Sequence, residues 1–307
     1  MRAAVAQLLK SGAYDAVVVH LCEAVQFLPP SIDVPGIFDI EDPPSEGASR
    51  TVAALSRGAR LATWCDVPLL RRYERKCAAR FDRLVFVNTH DAATFARRYG
   101  CAERVVTIAH AVDASEPPPG YQERVPGRLI ATGNMAHPPN IAALDYLCGE
   151  VFPRIRAAAP TATLRIVGAH ATERVRLWGA QPGITVVGEV DDIRKELKEA
   201  CVALCGVAPL VGIQTKVLEA MACGTPVVTT PGGNGGIDAV DGRELHVAAN
   251  ADLFAAKAVA LLRGDGWKQL SSAGRDLVLN RFAPAHASAE LERLIEDAIR
   301  AAGSRRR

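Results

Sequence analysis

The chain has 307 residues, of which 49% are hydrophobic and 23% are charged, and its formal net charge is +2. This length and apolar content predict a globular protein that divides into two domains, each able to bury a core. The small net charge gives no reason to expect a nucleic acid as partner. No apolar run reaches the roughly eighteen residues that a membrane-spanning helix needs.

The eight cysteines are scattered through predicted strands and helices, and no pair of them has CxxC spacing. Cys201 and Cys205 lie in or beside an apolar run, which favours places in a core. This distribution argues against a disulfide framework and against a structural zinc site. We therefore expect a cytoplasmic protein whose cysteines are reduced.

The opening residues Met1 to Lys10 predict a short amphipathic helix, because they lack the apolar segment of a signal peptide. Ten short apolar runs follow, most of them rich in β-branched residues, with helical patterns between them. The runs are residues 16–21, 36–40, 84–87, 105–108, 129–132, 163–167, 184–187, 202–207, 226–229 and 245–248. This alternation predicts an α/β fold with two doubly wound parallel sheets of the Rossmann-like type.

Residues 113–127 hold four prolines and two glycines and few apolar groups, which is typical of a linker. We therefore expect a first domain over 1–113, a linker over 114–127 and a second domain over 128–307. The first domain starts with a helix and has no glycine-rich loop after an opening strand.

Two helical stretches have a charged character that bears on partners. The helix predicted over 69–81 carries a basic face, which suits ordinary packing on a sheet or contact with an acidic membrane surface. A helix over 286–302 precedes the basic end of the chain. This last helix either stays with the second domain or crosses back to the first.

Residues 207–230 predict a strand, a helix from Gln214 to Ala222, and a second strand. Gly212 precedes the helix, whose first N–H groups have no partner within it. Lys216 lies in the first turn and Glu219 one turn later on the same face. A cation beside free amides suits a phosphate, and a carboxylate beyond it suits two hydroxyls. The stretch thus predicts a nucleoside diphosphate pocket; the alternative is a solvated pair of charges.

Five segments of the second half follow one another in an order that is found in a known family. The segments are GNMAHPPN (133–140), LRIVG (164–168), ITVVGEVDDIR (184–194), GIQTKVLEAMACGTPVVTT (212–230) and GRELHVAANADLFAAKAVALL (242–262). They resemble the nucleotide-sugar half of GT-B glycosyltransferases of family 4. The form GxQxKVLEAM looks most like bacterial members linked to exopolysaccharide assembly. Upstream, residues 73–95 and 105–113 resemble the end of that family's first domain. Relatives have strand–helix units and a glycine-rich loop ahead of the strand over 16–21. The resemblance therefore implies that the first domain is incomplete here, with a sheet edge that is exposed or covered by a partner chain.

The resemblance implies two domains that face a cleft and a transferase of polysaccharide biosynthesis. Such an enzyme moves a sugar from a nucleoside-diphosphate donor to a saccharide or lipid-linked acceptor, retains the anomeric configuration, and needs neither cofactor nor metal. Peripheral contact with the inner membrane face is the alternative that follows from the basic face of the helix predicted over 69–81. Two alternatives stay open: a nucleotide-sugar-binding partner subunit without its own activity, and a UDP-sugar epimerase of the same fold.

The resemblance also assigns roles to residues around the predicted helix. Glu219 matches the carboxylate that holds the ribose hydroxyls of the donor. Lys216, together with the amides of Gly212, Gln214 and Thr215, is expected to face the diphosphate or the sugar. Lys216 is therefore both a donor-binding and a candidate catalytic residue.

Four further residues are expected to take part. Gly133 and Asn134, in the loop after the first strand of the second domain, are expected beside the phosphates. Val190 is expected to meet the base through its backbone. His20 falls where many family members carry a histidine near the reacting sugar carbon, so it is the second candidate catalytic residue. A structural role for His20 is the alternative.

Some positions differ from the residues that the family has there, and three acidic residues have more than one possible role. Val211 stands where many members have a second glutamate, and residues 109–113 replace a Pro-Asn-Gly-Val-Asp turn. Asp39, Glu41 and Asp42, at the end of a predicted strand, either contact an acceptor, cap the next helix or remain in solvent.

Overall fold

The computed structural model describes residues 1–51, 57–208 and 212–305. The Val211 position therefore lies outside the described residues, as does the very end of the basic tail. In the first part of the chain the elements are α1 (Arg2–Lys10), β1 (Val17–His20), β2 (Gly36–Glu41), α2 (Pro44–Thr51), α3 (Arg57–Ala78), β3 (Arg83–Phe86), α4 (Thr89–Tyr99) and β4 (Val105–Thr107).

The second part begins with β5 (Arg128–Thr132), α5 (Pro138–Tyr146), α6 (Phe152–Ala158), β6 (Thr163–Val167), α7 (Glu173–Trp178), β7 (Ile184–Gly188), α8 (Ile193–Glu199) and β8 (Val202–Cys205). It continues with α9 (Thr215–Ala222), β9 (Val227–Thr229), α10 (Pro231–Asn234), β10 (His246–Val247), α11 (Ala251–Leu262), α12 (Trp267–Arg281) and α13 (Pro284–Arg305). Each of the ten predicted runs overlaps a strand, and all strand pairs among the described residues are parallel. The α/β prediction with two parallel sheets is confirmed.

The chain divides into two compact units, one of Met1–His110 with Ala285–Arg307 and one of Ala111–Pro284. The first unit has a four-stranded sheet in the order β1-β2-β3-β4. One face of the sheet packs Phe38, Leu84 and Phe86 against Phe95 of α4. On this sheet β1 is an edge strand, and Val18 within it is 43% exposed.

The opposite face of that sheet is covered by the C-terminal helix. Leu294 and Ala298 of α13 pack with Ile37 and Val85, which alternate with the residues of the first face. Side chains of neighbouring strand residues point to opposite faces, so this second apolar layer needs its own cover. The helix at the end of the chain therefore completes the core of the unit at its beginning.

Residues 114–127, expected to be a linker, are part of the second unit. The reason is Arg124, which is 3% exposed although its neighbours have linker composition. Its guanidinium donates to the backbone carbonyls of Ala200 at 2.7 Å and Gly224 at 3.0 Å and to Thr225 Oγ1 at 2.8 Å. It also lies over the ring of Trp267, 4.9 Å from the ring centroid. These bonds tie the segment to the sheet of the second unit, and burial lowers the pKa of Arg124 to about 10.

The second unit has a six-stranded sheet in the order β10-β9-β8-β5-β6-β7. From β5 the chain moves outward through β6 and β7, then returns to place β8 on the other side of β5. The largest buried side chains around these strands include Leu129, Phe152 and Phe254. Because β5 and β8 lead away in opposite directions, their carboxyl ends border a crevice of the kind in which open α/β sheets bind ligands.

The basic helix predicted over 69–81 is the second half of α3. Trp64 and Leu69 on this helix are 73% and 66% exposed. In the described part of the chain, no helix combines the length and the apolar character that crossing a bilayer requires.

Candidate functional site

The helix α9 starts beside the crevice between β5 and β8. Gln214 is its N-cap residue, and the Gln214 side chain does not cap the helix. The amides of Val217 and Leu218 return to the Gln214 carbonyl at 2.9 and 3.4 Å, so the first turn is formed. Gly212, ahead of it, has a φ of 76°. The helix thus starts at Thr215, one residue later than the sequence predicted.

Lys216 reaches from α9 across the crevice to the loop after β5. Its Nζ donates to Asn140 Oδ1 at 2.5 Å. The Asn140 Nδ2 in turn donates to the carbonyl of Asn134 at 2.9 Å. A Cβ atom on Gly133 would lie 3.1 Å from Lys216 Nζ, so a residue with a side chain would crowd the ammonium. The structure therefore brings Gly133, Asn134 and Lys216 together and adds Asn140. That these residues bind a donor stays a prediction.

The loop after β5 is held against the loop after β6. The Gly133 amide donates to the Val167 carbonyl at 3.2 Å, and the Met135 amide donates to the Ala169 carbonyl at 2.9 Å. At Gly168, with φ of 152°, an added Cβ would lie 1.9 Å from the Gly133 carbonyl oxygen. Glycine is required there because the two backbones touch. The position of the Gly133–Asn134 turn is thereby fixed.

Burial shifts the pKa values of Lys216 and Glu219 in opposite directions. Burial lowers the pKa of Lys216, while Cys205 and Glu219 oppose the shift. Burial raises the pKa of Glu219, while Lys216 and Arg194 oppose it. Glu219 is half-buried, and its carbonyl accepts from the Cys223 amide at 3.0 Å, but its side chain makes no hydrogen bond with any residue in the described ranges. Its oxygens are therefore available to hydroxyl donors of a ligand.

Val190 and Thr215 make no contact that assigns them a role. Val190 lies two residues beyond β7 at the same carboxyl edge of the sheet and is half-buried. Strand β7 is separated from β5 by β6. Thr215 is exposed at the first position of α9. For both residues the donor-binding role stays a prediction.

His20 belongs to the first unit, whereas Lys216 belongs to the second. At the end of β1, His20 Nδ1 lies 2.9 Å from Asp39 Oδ2, and its Nε2 lies 3.6 Å from Glu41 Oε1. His110 Nε2 lies 3.6 Å from the same Glu41 oxygen. Two of the three acids expected to contact an acceptor therefore pair with histidines, while Asp42 is exposed. The catalytic role of His20 stays a prediction.

Sequence reasoning missed Asn140, which it treated only as the last residue of GNMAHPPN. A signal was available, because Pro138 occupies the first position of α5 and places Asn140 in the first helical turn, beside the preceding loop. Within the described residues, no group of three or more His, Cys, Asp or Glu side chains is arranged to hold a metal ion.

Residues 126–264 match the family model "Glycosyl transferases group 1". No curated protein sequence matches the chain significantly. The matched residues 126–264 lie entirely within the second unit, which contains Lys216 and Glu219.

Solved structures share the fold at low sequence identity. TarM of S. aureus is 14% identical with a TM-score of 0.75; the match covers 97% of this chain and 58% of TarM. Sucrose-phosphate synthase of Thermosynechococcus elongatus is 16% identical with a TM-score of 0.76, and the match covers 98% of this chain and 77% of the synthase. HepE of Anabaena is 13% identical with a TM-score of 0.70, and the match covers 95% of this chain and 80% of HepE. The fold is that of GT-B glycosyltransferases.

Proposed function

We propose that this chain is a glycosyltransferase of the hexosyltransferase type, because residues 126–264 match the family model of the group 1 glycosyl transferases. It transfers a sugar from a nucleoside-diphosphate donor to a saccharide or lipid-linked acceptor. The GT-B fold shared with TarM and sucrose-phosphate synthase supports this reaction class.

The observation that carries the proposal is that Lys216 and Glu219 lie one helical turn apart on the same face of α9, at the crevice between β5 and β8. A diphosphate fits beside the Lys216 ammonium, the Gly133–Asn134 turn and the start of the helix. One turn further, Glu219 accepts hydrogen bonds from the ribose hydroxyls. HepE was solved with UDP and glucose, which makes uridine nucleotides the first ligands to test.

The proposed chemistry uses positioning and charge stabilisation. As the bond between the sugar and the diphosphate breaks, negative charge grows on the leaving phosphate, and the Lys216 ammonium stabilises it. The leaving diphosphate assists the incoming hydroxyl on the same face of the sugar, so configuration is retained. Because Lys216 supplies the cation at this position, we propose that transfer needs no metal.

Further proposals concern the place of the enzyme in the cell. Its eight cysteines are unpaired and seven are buried, which supports a cytoplasmic location. The exposed Trp64 and Leu69 on α3 support peripheral contact with the inner membrane face. The exposed edge strand β1 supports a partner chain that pairs with it.

A thermal-shift panel of UDP, GDP and ADP, followed by donor hydrolysis, tests the function. We expect one nucleoside diphosphate to raise the Tm of the wild type. Glu219→Ala should weaken the binding of that nucleotide roughly ten- to a hundredfold, because the substitution removes charge-assisted hydrogen bonds. Glu150→Ala, at an exposed position outside the crevice, is the matched control.

The same panel separates the alternatives. Binding without turnover of any donor sugar would indicate a partner subunit. Exchange of the sugar C2 proton with solvent would indicate an epimerase. If no nucleoside diphosphate stabilises the wild type, the proposed function is wrong.

A further inference from the structure

The Lys216 ammonium can donate three hydrogen bonds. Among the side chains of the described residues, Asn140 alone accepts one of them, through Oδ1 at 2.5 Å. Lys216 comes from the helix after β8 and Asn140 from the helix after β5, so this bond spans the two sides of the crevice. The orientation of the lysine therefore depends on a residue 76 positions away in the sequence.

Asn140 is itself held in place. Its Nδ2 donates to the Asn134 carbonyl at 2.9 Å, and its own amide donates to the His137 carbonyl at 2.9 Å. The Asn134 side chain accepts from the Ala136 amide at 3.0 Å, which fixes the turn that supplies this carbonyl. With Nδ2 engaged by the loop, the Oδ1 atom points to Lys216. The side chain thus connects the Gly133–Asn134 turn to the ammonium of Lys216.

We infer that Asn140 is a positioning residue for Lys216, holding the ammonium over the Gly133–Asn134 turn where the donor diphosphate binds. This inference rests on the proposed function. A neutral amide suits the task because it accepts from the lysine without cancelling its charge. A carboxylate at the same place would pair with Lys216 and repel the phosphate.

The bond also affects the charge state of the lysine. The titratable groups that face Lys216 are Cys205 of β8 and Glu219 of α9. Burial lowers the pKa of Lys216, whereas a hydrogen bond from the ammonium to Asn140 favours the charged form. Without that bond the pKa falls further. As the pH is raised, Lys216 loses its proton and diphosphate binding weakens. Without the bond to Asn140, this loss of affinity should begin at a lower pH.

The experiment measures the Kd of UDP and of uridine, across a series of pH values, for the full chain. The variants are Asn140→Ala, Asn140→Asp and Lys216→Ala, with Asn280→Ala, an exposed position on α12, as the control. If GDP or ADP is the nucleotide that binds, it and its nucleoside replace the uridine pair.

For Asn140→Ala we expect about tenfold weaker UDP binding at neutral pH and unchanged uridine binding. The alkaline limb, which is the fall in UDP affinity as Lys216 loses its proton, should shift to lower pH. Asn140→Asp, which is isosteric, should weaken UDP binding but shift that limb to higher pH. Lys216→Ala should weaken UDP binding and remove the limb. The Asn280→Ala variant should match the wild type in every measurement.

Three results would overturn the inference, and they can be told apart. If no nucleoside diphosphate binds the wild type, the proposed function fails and the inference with it. If the wild type binds and Lys216→Ala does not, but Asn140→Ala keeps the wild-type affinity and pH curve, only the inference fails. A purely structural role for Asn140 would weaken UDP and uridine equally without moving the alkaline limb, and that outcome also contradicts it.

Discussion

Glu219 carries the most informative pKa shift at the residue scale. Its carboxyl group is half-buried one helical turn from Lys216, and burial raises its pKa despite the two cations nearby. A carboxyl group whose charged form is disfavoured by burial, and which lies at a crevice, is typical of a functional site. Stability and ligand binding should therefore respond in opposite directions when this charge is removed.

We predict that Glu219→Gln raises the Tm at neutral pH and weakens nucleotide binding. Because the pKa is raised on folding, the folded chain binds more protons than the unfolded chain between the two pKa values, and wild-type stability falls as pH rises through that window. The glutamine variant has no such loss. The Tm advantage of the variant should be present at neutral pH and should vanish in acid, where the carboxyl of the wild type is protonated in both states.

Differential scanning calorimetry over a pH series checks this prediction, with Glu150→Gln at an exposed position as the control. A lower Tm for Glu219→Gln than for the wild type at neutral pH would contradict it. Such a result would mean that attraction to Lys216 and Arg194 exceeds the cost of burying the carboxylate.

Residue-level chemistry was only partly visible in the sequence. Lys216 and Glu219 were identified because helical spacing places them on one face, a local property. Asn140 and Arg124 were missed because their partners lie 76 and up to 101 positions away. For Arg124, proline and glycine neighbours gave a linker composition that carries no information on burial.

At the scale of elements, α13 is the helix whose packing has the widest effect. It follows the second unit in sequence but supplies Leu294 and Ala298 to the sheet of the first. Hydrophobic periodicity predicted both this helix and all ten strands, because each signal is contained in a short window. Strand order and the destination of α13 depend on contacts between distant segments.

We predict that Leu294→Asp destabilises the first unit by about 3 kcal/mol or more, because it places a charge in an apolar layer and removes packing. Leu294 is 8% exposed and lies against the face that contains Ile37 and Val85. Leu253→Asp is the matched control, since Leu253 is 41% exposed on α11. Limited proteolysis should cleave the Leu294 variant faster within residues 1–110. Equal cleavage rates in the two variants would contradict the packing role of α13.

At the scale of the whole molecule, the residues expected to bind the donor belong to one of the two units. Gly133, Asn134, Lys216 and Glu219 all lie within Ala111–Pro284. A nucleotide without its sugar and acceptor should therefore act on that unit alone, since ligand binding stabilises the part of the chain that forms the site.

We predict that UDP slows amide hydrogen exchange in the turn after β5 and at the start of α9, and leaves exchange in β2 and β3 unchanged. Hydrogen exchange followed by mass spectrometry, with and without UDP, checks this. The Lys216→Ala variant, at the same UDP concentration, is the control and should show much less protection. Equal protection of β2 and β3 would contradict the assignment of nucleotide binding to the second unit.

The place of β8 beside β5 has a consequence for the synthesis of the chain. On the ribosome, β5, β6 and β7 emerge in order and pair with one another, while one edge of β5 stays bare until Val202–Cys205 has been made. Lys216 emerges later still. The nascent chain therefore carries an open parallel strand through the translation of about seventy residues, which is the interval in which mispairing or chaperone binding is favoured. The adjacency that creates the crevice also makes it one of the last features of the unit to form.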